Sequence, residues 1–157
     1  RQAIGALRFD ERLLGSGAQV ANEALFSGAI RQAGWQLIYD PAIEVDHIVG
    51  ARPPEEERNR MDGNVLREMM HNTTLGLLEY QRGWTAVSAL LYSVLVGSWN
   101  APGVASALRL MLQGRAGAWG GLRNNVLGIL DGWRTWRRTR KEPRPERRAA
   151  PYRERAV

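Results

Sequence analysis

Arg31-Gln32-Ala33-Gly34-Trp35-Gln36-Leu37-Ile38-Tyr39-Asp40-Pro41-Ala42-Ile43-Glu44-Val45-Asp46-His47-Ile48-Val49 is where the hydrophobic period changes, and the fold turns on how it is read. Upstream, from Gly17 to Ala33, small and apolar residues (Val20, Ala21, Ala24, Leu25, Gly28, Ala29) recur three or four apart. That spacing predicts a helix with a face small enough for close packing. Gly15-Ser16-Gly17 is the loop feeding it, Asn22 or Ser16 is the candidate cap, and Gly34 is the expected C′ stop. Beyond Gly34 the pattern reads as a strand over 35–39, a turn at Asp40-Pro41 and a second strand over 43–49. In the second strand Ile43, Val45 and His47 share one face, with Glu44, Asp46 and Ile48 on the other. Trp35 and Tyr39 share a face of the first and read as core. The expectation is a mixed α/β unit here and helices afterwards.

Downstream, Pro53-Pro54 breaks the chain and Glu55-Glu56-Glu57 places acids near a helix start, where the backbone dipole favours them. A helix is expected from Asp62 to Tyr80, carrying Val65, Met69, Leu75 and Leu78, with His71 as a surface or interface histidine. From Trp84 to Leu112 the only charge is Arg109. The most apolar part, Trp84 to Trp99, has 16 residues, short of the roughly 17–25 a spanning helix needs. Gly97, Asn100, Pro102 and Gly103 then interrupt it. A third amphipathic pattern runs through Trp119, Leu122, Val126, Ile129, Leu130 and Trp133, weakened as a free helix by Gly117, Gly120, Gly121 and Gly128.

Charge is concentrated at one end. Residues 133–157 hold ten basic side chains and three acids, whereas the whole chain of 157 residues carries a net +6, so the remainder is close to neutral. Pro143, Pro145 and Pro151, with almost no aliphatic residues around them, predict a disordered basic tail. With no cysteine, disulfides, thiolate metal sites and a thiol nucleophile are excluded. The first residue is Arg1 and no signal-peptide pattern follows, which gives the expectation that the sequence begins inside a longer polypeptide.

The order of elements from Phe9-Asp10-Glu11-Arg12-Leu13-Leu14-Gly15 to Val45-Asp46-His47 resembles the closing part of a family 2 glycosyltransferase domain of the GT-A fold. In that family a Phe-Asp-Glu segment leads to a glycine-containing loop. An acidic pair then opens a helix that closes in Ala-Gly-aromatic, and a strand, a proline turn and a strand ending in His follow. Here the helix closes Ala33-Gly34-Trp35, and the acidic pair is replaced by Asn22-Glu23, so one carboxylate remains. The resemblance covers about the first 50 residues well and continues loosely, as a helical extension, to about residue 130. It implies inverting transfer of a sugar from a nucleotide-sugar donor to an acceptor hydroxyl, for cell-envelope polysaccharide or glycolipid synthesis. It implies Glu23 as general base, with Gly15, Gly17 and Asn22 shaping the acceptor loop. It also implies a divalent metal, Mg or Mn, held mostly by the nucleotide-binding half, with His47 as a candidate ligand. Asp46 lies on the opposite strand face from His47, against a paired site. No Asp-x-Asp occurs, nor a Walker loop, a GxSxG elbow or an HExxH helix, so the chain alone is expected to be inactive.

The chemistry is sound from first principles, because a carboxylate within hydrogen-bond reach of a weakly nucleophilic hydroxyl takes its proton as the new bond forms. Glu23 equally suits the plain role of an acid at a helix start. Interrupted apolar stretches, terminal tryptophans and a basic cluster after Trp133 predict contact with a membrane surface, at the inner face of the cell membrane, where a lipid-linked acceptor would be met. An alternative is a non-catalytic membrane-surface or partner-binding helical protein. Trp133, Trp136 and Tyr152 among arginines would also suit nucleic acid, but the neutral body and the lack of a nucleic-acid fold argue against it. The expected division is 1–50 transferase, 51–132 helical extension and 133–157 tail.

Overall fold

The computed structural model describes residues 7–15, 20–46, 48, 63–81 and 83–141. Its regular structure is α1 (Asn22–Gln32), α2 (Gly63–Tyr80), α3 (Gly83–Leu95), α4 (Val104–Leu112) and α5 (Ala118–Thr139). Among the described residues there is no β-strand, and the one bridge joins Gly97 to Pro102.

The expected α/β fragment is therefore corrected to an all-helical arrangement. Residues 35–46 form no ladder. The alternation of Ile43, Glu44 and Val45 favours an extended backbone, but a strand exists only when its N–H and C=O groups meet another strand. None of the described residues offers one. Tyr39 is 89% exposed and Val45 82%, so Tyr39 is not core. Only the turn survives as read: Asp40 accepts the Ala42 N–H at its side chain (3.0 Å) and the Ile43 N–H at its carbonyl (3.2 Å).

The helix ends follow local chemistry more closely. Gly34, at φ 91°, is the C′ residue of α1. Its N–H reaches the Arg31 carbonyl while the Trp35 N–H reaches that of Ile30, the paired bonds of a Schellman stop. The start of α1 differs from expectation. Its cap is Ala21, with no side-chain cap bond, in place of Asn22, while Ser16 lies outside the described residues.

α2 and α5 form the main contact of the molecule. Gly128 and Gly132, one turn apart on α5, let it lie on α2 so closely that a Cβ at either would collide with the backbone carbonyl of Arg67 or His71. Gly128 weakens the isolated helix, as read, but with Gly132 it is what allows this packing. The core falls in two clusters. Leu13 and Leu25 pack on Leu75, and Leu66 and Met70 pack on Ala101. Each such leucine contributes about 2 kcal/mol by leaving water. The buried face of α2 is Leu66, Met70, His71, Asn72, Thr74 and Leu75; of the expected positions Leu75 is fully buried, while Val65, Met69 and Leu78 are half-buried.

α3 and α4 are the two arms of a hairpin. The interruption read at Gly97, Pro102 and Gly103 is its turn, and Gly97 takes φ 71° there. No helix among the described residues is long and apolar enough to cross a membrane. α5 runs on to Thr139, so the first part of the stretch read as a disordered tail is helix; residues 142–157 lie outside the described residues.

Candidate functional site

Phe9-Asp10-Glu11-Arg12 is a set of fasteners for the loop that follows. Phe9 stacks on Phe26 of α1 with ring centroids 4.7 Å apart. Asp10 holds Arg12 through both carboxylate oxygens, and Arg12 donates onward to Thr139 Oγ1 of α5 at 2.8 Å. Glu79 of α2 lies 3.9 Å from the same guanidinium. Leu13 then enters the core beside Leu25 and Leu75. One arginine thus ties the segment before the loop to the two longest helices.

The loop itself is gripped by Asn72, which is fully buried. Asn72 Oδ1 accepts the Leu14 N–H at 2.9 Å, and Nδ2 donates to the carbonyls of Leu14 and Val20, both at 2.9 Å. Both ends of the glycine loop are therefore fixed by one side chain. His71 stands beside it, with Nδ1 3.0 Å from Asn72 Oδ1 and Nε2 2.9 Å from Thr135 Oγ1 of α5. A neutral imidazole protonated on Nδ1 satisfies both contacts, accepting the Thr135 hydroxyl at Nε2. His71 is only 2% exposed, so of the two expected settings, surface or interface, it takes the second: helix packing against Thr135 encloses it.

Sequence reasoning missed Asn72. The signal was present in His71-Asn72-Thr73-Thr74, four polar residues inside a helix whose flanks are apolar. Polar groups buried in this way must be hydrogen-bonded to something.

Gly15 sits at φ 132°, a conformation open to glycine and strained for other residues. Ala21 takes φ 71°, the only non-glycine described residue at positive φ. Strain of this kind persists only where the surroundings enforce it, and it falls directly before Asn22 and Glu23. Glu23 is exposed on the first turn of α1. Asn22 turns inward, and its buried Oδ1 meets no hydrogen-bond donor among the described residues. An open groove of about 370 Å³ runs between α1 and α2 next to this turn, lined by Ala21, Ala24, Gly28, Thr73, Gly76 and Tyr80 among others.

Gly17 and His47 lie outside the described residues. No group of three or more His, Asp or Glu among the described residues could hold a metal ion.

A second groove, of about 1050 Å³, lies between the Leu14 segment and α5. Arg12, Arg67, Arg134, Arg137 and Arg138 line it, opposed by Asp131. Asp131 bonds Arg67 at 2.5 Å and Arg134 at 3.1 Å. Burial alone would raise its pKa, but the hydrogen bonds and charge of Arg67 and then Arg134 prevail and hold it below the usual carboxylate value.

Comparison with protein-family profiles, with curated proteins and with solved structures finds no match to this chain.

Proposed function

We propose that this chain forms the acceptor side of an inverting glycosyltransferase of family 2, with Glu23 as general base. The observation that carries the reading is the setting of Glu23. Its carboxylate is exposed at a helix start, behind the strained Ala21 and a glycine loop whose ends Asn72 clamps. A base must be both accessible to an acceptor and held on a rigid element, and the first turn of α1 meets both needs.

In the proposed step the acceptor hydroxyl gives its proton to the Glu23 carboxylate as its oxygen bonds to the anomeric carbon. The bond from that carbon to the diphosphate breaks on the opposite face, inverting the configuration and releasing the nucleoside diphosphate. The donor site belongs to residues other than these, since the chain has no Asp-x-Asp. A membrane-surface position, at the inner face of the cell membrane, fits a lipid-linked acceptor. The basic character of α5, with Arg134, Arg137 and Arg138 near its end, supports that position.

The test is sugar incorporation into the lipid fraction of membranes from cells expressing the complete reading frame that contains this sequence, assayed with a panel of labelled nucleotide sugars. Glu23→Gln is expected to lower kcat by about 10²–10⁴-fold with the donor KM little changed. A decrease of less than about threefold would remove Glu23 as the base.

A further inference from the structure

The α3–α4 hairpin is built inside out for a structure bathed in water. α3 turns Ala86 inward, and α4 turns Ala107 inward. The large side chains point the other way: Trp84, Val87, Leu91 and Leu95 form one stripe on α3, with Tyr92 beside it. Val104, Leu108, Met111 and Leu112 form the stripe on α4. Trp84 is 78% exposed and Leu112 90%. Both helices contact α5, while the stripes are left exposed. An apolar face this continuous marks an interaction surface.

Charge identifies what that surface meets. From residue 83 to residue 117 there is no acid, and the two basic residues, Arg109 of α4 and Arg115 just beyond it, are both exposed. Arg115 lies over the ring of Trp99 in the hairpin turn at 4.5 Å. Tryptophans capped by arginine are suited to the boundary between hydrocarbon and phosphate, where the ring enters the apolar layer and the guanidinium meets the headgroup. Length sets the depth. The 13 residues of α3 and 9 of α4 extend about 20 and 14 Å, well short of a hydrocarbon core of about 30 Å.

We propose that the α3–α4 hairpin docks on an anionic bilayer, its apolar stripes in the interfacial layer and Arg109 and Arg115 on lipid phosphates. This rests on the membrane-surface position proposed above and deepens it by naming the docking element and the lipid charge. The hairpin is fit for insertion as a unit. Its turn is held by the Ser98 N–H on the Ala101 carbonyl (2.9 Å) and by the Ser106 hydroxyl on the Val96 carbonyl (2.6 Å).

The test is flotation of the 157-residue chain with vesicles of phosphatidylcholine alone or with added phosphatidylglycerol, in low and high salt. Binding is expected with phosphatidylglycerol, weakening as salt rises. Brominated lipid should quench the tryptophan fluorescence, and the Trp84→Phe/Trp99→Phe variant should lose most of that quenching. Leu91→Glu/Leu108→Glu, two exposed positions, should lower partitioning by about tenfold or more with an unchanged helical spectrum. If that variant partitions within about threefold of the parent and the quenching survives Trp84→Phe/Trp99→Phe, the hairpin is not the docking element, although the membrane position stands. If the chain floats with neither vesicle, both fall; self-association or single-stranded RNA binding in the same preparation would then identify the occupant. Neither result touches Glu23, whose variant is read by sugar transfer.

Discussion

Asn72 holds the Leu14 peptide from both sides: its side-chain oxygen takes the N–H and its side-chain nitrogen gives to the C=O, each at 2.9 Å. A third bond reaches the Val20 carbonyl, so the loop before Glu23 is fastened at entry and exit by a residue 58 positions away from Leu14. Asn72→Ala would leave these part-buried backbone groups without their side-chain partner. The expected loss is about 3 kcal/mol, read by urea unfolding. The Leu14 amide should also exchange its hydrogen faster, before any change in the α5 amides. Unchanged Leu14 protection would show that the grip is unimportant.

That grip also shows where the sequence could and could not be read. Signals contained within a few residues were legible: the Gly34 stop, the Asp40 turn, the near ends of α2 at Gly63 and Tyr80, and the break around Gly97 and Pro102. Each depends on local backbone chemistry. The strands were misread because alternation at Ile43 and Val45 records a preference, whereas a strand also needs a partner that no local pattern announces. The inward turn of His71 was hidden for a related reason. It depends on Thr135, 64 residues on, and on glycines of α5 that look like helix weaknesses until α2 is laid against them. The place of Glu23 on the first turn of α1 and the glycine turn at Gly15 were legible as local structure, and the buried grip of Asn72 was not.

Gly132 and Gly120 lie on the same helix and should answer in opposite directions. A Cβ at Gly132 meets the His71 carbonyl and Thr74, whereas at Gly120 it meets nothing within 4 Å. Gly120→Ala is expected to stabilise the chain by up to about 1 kcal/mol, the ordinary helix-propensity gain. Gly132→Ala must separate α2 from α5, and should cost about 2 kcal/mol despite the same gain. Thermal melts of the two variants check this. Equal shifts would mean that α5 does not lie on α2 through this glycine.

Asp131 joins α2 to α5 through Arg67 and has its pKa held below the unfolded value of about 3.8. Because the folded value is the lower one, the unfolded chain binds the proton first as pH falls. The contribution is therefore complete above about pH 4 and is lost as pH drops through the folded pKa. Asp131→Asn should be less stable than the parent by about 0.5 kcal/mol near neutrality, a small effect because Arg67 is partly in water. The two should converge in acid below the usual carboxylate range. Urea unfolding at neutral and acid pH measures it, and a gap that persists in acid would assign the effect to packing instead of charge.

Asn125 does for the hairpin what Asn72 does for the loop. Its Nδ2 donates to the carbonyls of Ser93 and Pro102, both at 3.0 Å. Ser93 is in the last turn of α3, where carbonyls lack helical partners; the N–H groups of Val96 and Gly97 both go to Tyr92 instead. Asn125 is fully buried, so Asn125→Ala leaves the buried Pro102 carbonyl and the part-buried Ser93 carbonyl without this partner, at an expected cost of about 2 kcal/mol. The damage should be local. The Ser98 and Ser106 amides, which bond across the turn to Ala101 and Val96, should exchange about tenfold faster or more, while the α2 amides change only with global stability. Uniform loss of protection would instead mean that the hairpin turn and the α2–α5 pair open together, so that α3 and α4 could not move onto a surface without disturbing the loop before Glu23.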